Sequence, residues 1–478
     1  MRIVPETIGN RPRAAVIGGG VAGLSAALAL RDRGVEVVLI ERDSRLGGVV
    51  RTDHVDGFLL ESGPDSILSY KPSGVAMIDR LGLCASLVET RPGGGGTFIL
   101  HNGELVPLPE GMTMLVPTQY KAIATTPLLS PVGKLRMLLD VAVPARRDEA
   151  DESVGSFVRR RLGSQVFDHL AEPLVSGIFS GDADQLSVLS TMPRLRQVEL
   201  EQGGIIRGAI AQRRAAAPGP SPSARLTPFV SLAGGLGQLI DAMSEALGET
   251  DVRLNDAVVG LSSVDGGYRL DLSSGETLAV DGVVLATPAP ASADLLATLA
   301  SELADELRKI PYGSSVSISL GYPAGALPVN AGRGFVVPRA EGKAIRAVTW
   351  SSEKFEGRAP AGQSLLRVVI GRPGESWWRD APDDYVVLRV RAELREILGI
   401  DAEPTLARVY RWVDAMPQYV VGHAARLLRI DWLAKAIPGV VVTGSALRGV
   451  GIPDNISAGK DAAERLADRI IASHGARI

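Results

Sequence analysis

Residues 14–41 read AAVIGGGVAGLSAALALRDRGVEVVLIE, and this stretch decides the fold. Residues 14–17 are an apolar run, which predicts a buried parallel strand. Gly18, Gly20 and Gly23 then supply a G-x-G-x-x-G turn, with Gly19, Val21 and Ala22 between them. The glycines of such a turn serve three separate ends, namely a tight turn, close approach of backbone N–H groups to a pyrophosphate, and close helix–strand packing. Residues 24–33 carry helical apolar spacing, Gly34 stops the helix, and 35–40 form a second buried strand that ends on Glu41. The helix N-terminus offers partial positive charge to phosphates. A carboxylate at Glu41 accepts hydrogen bonds from ribose hydroxyls and repels a 2′-phosphate. A glycine triplet alone is weak, but strand, helix and acid at the right spacing make a specific dinucleotide cradle.

The chain around it has 478 residues, 45% of them hydrophobic, enough for two or three domains. Its formal net charge of −3, with no strongly basic region, argues against nucleic-acid binding. The short clusters Arg146-Arg147, Arg159-Arg160-Arg161 and Arg213-Arg214 read as solvated helix or loop faces. Cys84 is the only cysteine, which excludes a disulfide framework and a cysteine-based metal site. Its apolar neighbours predict a packed, inert thiol. The five histidines show no metal-ligand spacing, so the chemistry is left to an organic cofactor and no metal is expected. Residues 1–13 lack the apolar core of a signal peptide, and the run 14–30 is too short and too glycine-interrupted to span a membrane. The expectation is a cytoplasmic protein, with peripheral membrane contact and oligomeric state left open.

Past Glu41 and Arg42, the segment RLGGVVRT (45–52) places Arg45 and a second glycine pair, Gly47 and Gly48, where they can brace the far side of a pyrophosphate. That arrangement is typical of two-dinucleotide flavoproteins. From about residue 87 the character changes. Residues 105–110 read as a rigid extended loop, followed by helices over 131–143, 153–162 and 166–174 with Ser153 as N-cap. Residues 215–224 are low-complexity and read as a surface loop. Ordered signals return at Phe229: a helix over 238–247, strands near 252–259, a hairpin about Asp265, and a buried strand in 281–288. Strands at 314–320, 344–350 and 365–370 suit an antiparallel sheet. Finally VVVTG (440–444) leads through GVGIP (449–453) to a closing helix over 457–473, so a second glycine-rich loop feeds a helix N-terminus.

The expected fold class is α/β with α+β insertions: a discontinuous Rossmann-like FAD-binding domain, a mixed-sheet substrate domain and an inserted helical domain. The expected divisions are 1–86, 225–290 and 412–478 for FAD binding, 87–212 for a helical, membrane-type or substrate-lining block, and 291–411 for substrate.

Five separated motifs carry a resemblance. SVGSFVRRRLG (153–163) and EPLVSGIFSGD (172–182) resemble an F-x-R-R-x-x-G … E-P-x-x-x-G-x-x-x-G-D signature, and GPDS (63–66), MPQY (416–419) and GVGIPD (449–454) complete it. The chain resembles, nearly end to end, the oxygen-dependent porphyrinogen oxidases of haem biosynthesis, within the flavin amine oxidase superfamily. The resemblance implies non-covalent FAD, with Gly18 to Gly23 on the pyrophosphate, Glu41 on the adenosine ribose, and Arg45, Gly47 and Gly48 along the same channel. It implies Gly63, Pro64, Asp65 and Ser66 beside the flavin, and Val258 (or Val259) at the adenine. It also implies Trp412, Val450, Gly451 and Ile452 closing over the isoalloxazine and its ribityl chain. Gly177 would approach a flat macrocycle, or simply be a turn glycine.

The implied reaction removes six electrons from a porphyrinogen in three two-electron turns, with O2 as acceptor and hydrogen peroxide released; the cofactor carries it, so no catalytic side chain is assigned. Coproporphyrinogen has four propionates and protoporphyrinogen two, so the first calls for more cationic partners. Lys71 occupies the position of a basic residue in the Gram-positive-type coproporphyrinogen III oxidases, which favours that substrate; an ordinary exposed lysine is the alternative. A ferrochelatase is a partner by pathway inference only. The competing readings are a flavin amine oxidase, which calls for an aromatic residue in the C-terminal flavin loop that this chain lacks beyond Trp432, and a non-catalytic binding protein on the FAD fold.

Overall fold

The structure, a computed structural model, describes residues 11–92, 96–109, 112–113, 116–117, 124–215, 226–328 and 332–475. The strand Arg13–Ile17 lies between two parallel neighbours, Glu36–Ile40 and Gly282–Leu285, so that Val16 pairs with Leu39 on one side and Val284 on the other. Val440–Val442 continues the sheet past Gly282–Leu285, and Asp251–Arg253 extends the other edge. The central strands are covered on both faces, which is why they read as continuous Val, Ile and Leu rather than alternating residues. The helices Val21–Asp32 and Ile452–Gly475 pack on one face. The other face receives a three-stranded meander, Val258–Val264, Gly267–Leu272 and Thr277–Val280, with the helices Ala289–Leu296 and Ser301–Arg308. This parallel-sheet unit is thus assembled from the start, middle and end of the chain.

A second, mixed sheet has seven strands in the spatial order Leu406–Pro417, Tyr312–Pro323, Gln363–Ile370, Ile345–Trp350, Gly334–Val336, Thr97–His101 and Glu104–Pro107. Val316, Ile318, Leu320, Leu366 and Val368 point to one face and pack against the helix Asp383–Leu398. By the same two-residue alternation the opposite face carries Ser315, Ser317, Ser319, Arg367, Trp412 and Tyr410.

Two expected boundaries shift. Residues 105–110 are not an extended loop as far as Pro107; they form the edge strand Glu104–Pro107, where a proline costs no ladder bond. The first part of segment 87–212 therefore belongs to the seven-stranded sheet, and the helices begin later. Likewise, Leu406–Pro417 runs unbroken across the division expected at 411/412. Of the low-complexity run 215–224, Ala215 ends the helix Ile205–Ala215, and residues 216–224 lie outside the described residues.

In the helical block, Ser130 and Ser153 cap Pro131–Leu138 and Val154–Leu162, accepting from Gly133 N at 3.1 Å and Ser156 N at 3.0 Å. The helix expected over 166–174 is interrupted by a single π turn at Phe167–Ala171, after which Glu172–Phe179 continues. Pro173 has no N–H to give to the preceding turn, so the regular hydrogen-bond ladder breaks there.

The three consecutive arginines are not a solvated face, contrary to the sequence expectation. Helical rotation sends them to three different sides. Arg159 pairs with Asp184 and lies over the Phe167 ring, 3.7 Å from its centre. Arg160 bridges Glu152 and Glu199 at 2.6 and 2.7 Å. Arg161 is wholly buried: its Nε donates to Asp140 Oδ1 at 2.6 Å, and its other nitrogens donate to the carbonyls of Asp140, Val143, Pro144 and Gly203. Asp140 Oδ2 in turn accepts from Ile206 N at 2.9 Å. Every donor is used, which is what makes a fully buried guanidinium tolerable. Arg161→Met should therefore strand a buried carboxylate and cost about 3–5 kcal/mol, read as a lowered urea midpoint. An unchanged midpoint would mean that Asp140 finds other partners.

Candidate active site

The three glycines of the first turn divide their work. Gly18 sits at φ +103°, and a Cβ there would lie 2.8 Å from Ala286 O. At Gly23 a Cβ would lie 1.8 Å from Gly18 O, so this glycine is required for helix–strand contact. Gly20, at φ −71° before the helix Val21–Asp32, faces open space, with nothing within 4 Å of where its Cβ would be. Val21 and Ala22 open the helix, whose first turn has no acidic residue. Gly19 N donates to Glu41 Oε2 at 2.6 Å and Asp43 N to Oε1 at 3.0 Å, which fixes the carboxylate at the strand tip. Arg42 is exposed beside Asp43. An open helix N-terminus, a glycine with room above it and an oriented acid fit the pyrophosphate and ribose of a dinucleotide.

The second glycine pair abuts the first turn. Gly47 N donates to Gly19 O at 2.8 Å, and a Cβ on Gly48 would lie 3.5 Å from Gly20 Cα. Both have positive φ, +99° and +57°. The Arg45 guanidinium donates to the carbonyls of Leu46, Gly48 and Val50 and so holds this loop in shape.

The C-terminal loop reaches the same place. Thr443 N bonds to Leu285 O, and Gly444, at φ +111°, lies beside Ala286, the residue that already touches Gly18. Gly449 N donates to Tyr419 Oη at 2.7 Å, while that hydroxyl donates to Ser445 O; the Tyr419 ring stacks on buried His423. Val450, Gly451 and Ile452 then enter the long helix Ile452–Gly475, with Asn455 Nδ2 donating to Gly451 O at 2.9 Å. That helix packs on Val21–Asp32 so closely that a Cβ on Gly459 would lie 2.1 Å from Ala22 O.

The segment 63–66 is clamped between this unit and the polar face of the second sheet. A Cβ on Gly63 would lie 2.0 Å from Val49 O. Arg367 donates to Gly63 O and, at 2.9 Å, to Ser317 Oγ, and Trp412 Nε1 donates to Ser62 O at 2.8 Å. Pro64 leads into Asp65, whose two oxygens accept from Lys354 Nζ at 2.8 and 2.9 Å, with Ser66 Oγ on the first. Burial alone would raise the Asp65 carboxyl, but Lys354 and Arg367 outweigh it and hold it well below the usual carboxylate range. Lys354 and Arg367 were not among the sequence candidates. The available signal was an arginine inside the otherwise apolar strand Gln363–Ile370.

The other candidates are spread around this centre. Val258 opens the meander and packs on the core, and a bulge before Gly260 leaves Val259 exposed. Lys71 is not a free lysine: its Nζ lies 2.6 Å from Asp454, tying the segment after 63–66 to the C-terminal loop. Gly177 is not a turn glycine but lies inside Glu172–Phe179, where a Cβ would make only ordinary contact with Val336 at 3.7 Å. Cys84 is exposed rather than packed, and its hydrogen bond to Asp79 pushes the thiol pKa up, the direction that lowers its thiolate fraction. Among the described residues no group of histidine, cysteine and acidic side chains could hold a metal ion.

Residues 21–467 match the flavin containing amine oxidoreductases. The chain belongs to that family. It is 36% identical to the coproporphyrinogen III oxidase of Bacillus subtilis over 94% of this chain and 96% of the relative. It is 37% identical to that of Propionibacterium freudenreichii, over 96% and 91%. The chloroplastic protoporphyrinogen oxidase 1 of Spinacia oleracea is 30% identical over 95% and 84%. Among solved structures, an Exiguobacterium chain provisionally named a protoporphyrinogen oxidase superposes with a TM-score of 0.85 at 32% identity, over 96% of this chain and 99% of that one. A cyclohexylamine oxidase from Brevibacterium oxydans, with TM-score 0.69 and 17% identity over 96% and 100%, shares the fold.

Two glycine variants separate cofactor binding from folding. Gly20→Ala should leave the apo fold intact, since its backbone is ordinary and its surroundings empty, yet weaken flavin binding roughly ten- to hundredfold by crowding the phosphates. Gly23→Ala should fail to fold. Flavin titration and circular dichroism of both variants check this, and equal flavin affinity in Gly20→Ala would remove the phosphates from that space. A pH series addresses Asp65. Because its folded pKa is depressed, its contribution is complete above the unfolded value of about 3.9 and fades as pH falls below it. Lys354→Met leaves burial opposed by Arg367 at 3.9 Å and the Ser66 hydroxyl. The variant should then cost about 1.5–3 kcal/mol at pH 7 and progressively less as the pH is taken from 4 down to 2, by urea unfolding; a cost that does not change down to pH 2 would deny the pairing.

Proposed function

We propose that this protein is a FAD-dependent porphyrinogen oxidase that converts coproporphyrinogen III to coproporphyrin III, with protoporphyrinogen IX as a second substrate. The observation that carries the reading is convergence. The glycine turns at 18–23, 47–48 and 444–451 meet at one end of the parallel sheet, and 63–66 joins them to the serine-lined face of the seven-stranded sheet. Relatives named coproporphyrinogen III oxidase align over nearly the whole of that frame.

FAD, when bound, removes hydrogen from the macrocycle two electrons at a time and passes the electrons to O2, giving hydrogen peroxide, so three turns complete the six-electron oxidation. The chain's own residues bind and orient. Gly20 and the start of Val21–Asp32 would hold the pyrophosphate, Glu41 the ribose, and Val258 the adenine end. Arg367 and Lys354 fix 63–66 against the sheet, so that the redox end meets a rigid wall. Ser317 and Ser319 are small and buried, which lets Arg367 and the 63–66 segment lie close against that face. No general base is assigned. Lys71 can act on a propionate by exchanging its Asp454 partner for the substrate carboxylate. No helix among the described residues is long and apolar enough to cross a membrane, and a cytoplasmic reaction with a ferrochelatase downstream is the setting this reading implies.

Purified protein should be yellow and, in air, oxidise coproporphyrinogen III with a higher specificity constant than protoporphyrinogen IX, followed by porphyrin fluorescence and peroxide. The reverse order would overturn the substrate preference; flavin-loaded protein that oxidises neither would overturn the reading. Lys71→Ala should weaken the four-propionate reaction about tenfold and the two-propionate reaction less. Asp454→Asn, which breaks the same ion pair, should not discriminate. If the two variants act alike on both substrates, Lys71 serves only to tie the loops together.

A further inference from the structure

Away from the glycine turns, a cavity of about 310 Å3 opens between the helix Glu172–Phe179 and the end of the seven-stranded sheet. None of the dinucleotide-cradle residues lines it. Its inner end holds Arg346, Arg372 and Ser176, with Arg339 at the rim and Glu172 between them. Arg346 is there because of a bulge. The register between Ile345–Trp350 and Gln363–Ile370 slips between Ile345 and Ala347, and the extra residue is turned under the helix. Its Nη1 donates to Gly371 O at 2.8 Å and its Nη2 to Ser176 O.

The hydrogen-bonding groups at this inner end are not all matched. Arg346 is 1% exposed and Arg372 7%. Arg372 spends three donors on the carbonyls of Lys343, Val337 and Ile345, and its Nη1 stays 3.8 Å from Glu172 Oε1, beyond a hydrogen bond. Half-buried Glu375 accepts from Arg372 N, on the backbone side. Glu172 Oε2 accepts from Arg339 N, and among the described residues no side-chain hydrogen bond or ion pair engages the Arg339 guanidinium. Burial, and then Arg372 beside it, push the Arg346 guanidinium down to about 10, so it is still a cation at neutral pH. Burial pushes the Glu172 carboxyl up, the direction that weakens its counter-charge to these arginines; Glu375 also acts on Arg346 and Arg372, and Glu393 on Arg372. Two polar atoms are also stranded: Arg346 Nε and Ser176 Oγ are buried without a hydrogen-bond partner. The acids at the outer end, Asp168, Asp182 and Asp184, face Arg159, which takes Asp184 as its partner.

Buried guanidiniums are tolerated when their charge and donors are matched. Here two of them and a stranded hydroxyl border the inner end of the cavity, where Glu172 stays beyond hydrogen-bond reach of Arg372 and the three aspartates lie at the outer end with Arg159. We propose that this cavity is a carboxylate-binding site, with Arg372 and Arg339 gripping the carboxylate, Ser176 turning its hydroxyl to it, and Arg346 supplying charge from below. A propionate arm of the tetrapyrrole and a free small carboxylate share this chemistry. The first source rests on the reading under Proposed function; the second does not. For a four-propionate substrate the site adds an anchor that a two-propionate one uses less.

The test uses the flavin-loaded full chain and two variants that leave the buried arginines in place, Arg339→Ala and Ser176→Ala. The probes are coproporphyrin III and protoporphyrin IX, followed by their fluorescence, and succinate, followed by the melting temperature. Coproporphyrin III should bind roughly three- to fivefold more weakly to each variant at low salt, protoporphyrin IX less so, and the difference should shrink at high salt. Stabilisation by succinate that both variants lose, with porphyrin binding unchanged, would keep the site and assign it to a free carboxylate. Variants that match the wild type with all three probes would overturn the site. Its failure is separable from failure of the enzymatic reading: wild-type protein that oxidises porphyrinogens yet gives none of these responses loses only the site, whereas one that responds to succinate but oxidises no porphyrinogen loses only the reaction.

Discussion

Parallel pairing of Arg13–Ile17 with Gly282–Leu285, and of the latter with Val440–Val442, is the contact on which the rest depends. Parallel strands cannot be joined by a tight turn, so everything between them must be routed outside the sheet. The chain uses those excursions to build the helical block and the seven-stranded sheet. The loops that leave the C-terminal ends of these strands meet on one side: Gly18 touches Ala286, and Gly444 lies next to Ala286 in turn. A ligand at a crevice outside the carboxyl ends of parallel strands is the general outcome of such a sheet.

Packing this tight leaves little room for side chains at the junctions. Gly23 against Gly18, Gly63 against Val49 and Gly459 against Ala22 are positions where a Cβ would come within 2.1 Å of a carbonyl oxygen. Gly20 differs from them because the space above it is empty. The same residue type thus serves packing at three places and access at a fourth.

Charge holds the attached units in register. Asp65 is balanced by Lys354 and Arg367 where the nucleotide unit meets the second sheet, and Lys71 is balanced by Asp454 where two loops of the nucleotide unit meet. Arg161 and Asp140 do the same inside the helical block. None of these pairs leaves a buried side-chain nitrogen or oxygen without a partner, which separates them from Arg346, whose Nε is stranded, and from Arg372, whose Nη1 stays 3.8 Å from Glu172.

The strand–glycine–helix–strand run at 14–41 was readable because its pattern is local: apolar periodicity, turn chemistry and a strand-end acid all lie within one stretch of chain. The same holds for the Ser153 cap. Local pattern could not say that Arg161 turns inward while Arg159 stays near solvent, that Lys71 is engaged by Asp454, or that Arg367 grips the carbonyl of Gly63. Nor could it show Glu104–Pro107 as an edge strand, because its partners come from distant segments. The sequence by itself determined the nucleotide cradle, the flavin family and the succession of elements, since periodicity and glycine placement act over a few residues. Only the tertiary structure decided which charges are buried, which are paired and which face a cavity, because the cost of a charge depends on every segment packed around it.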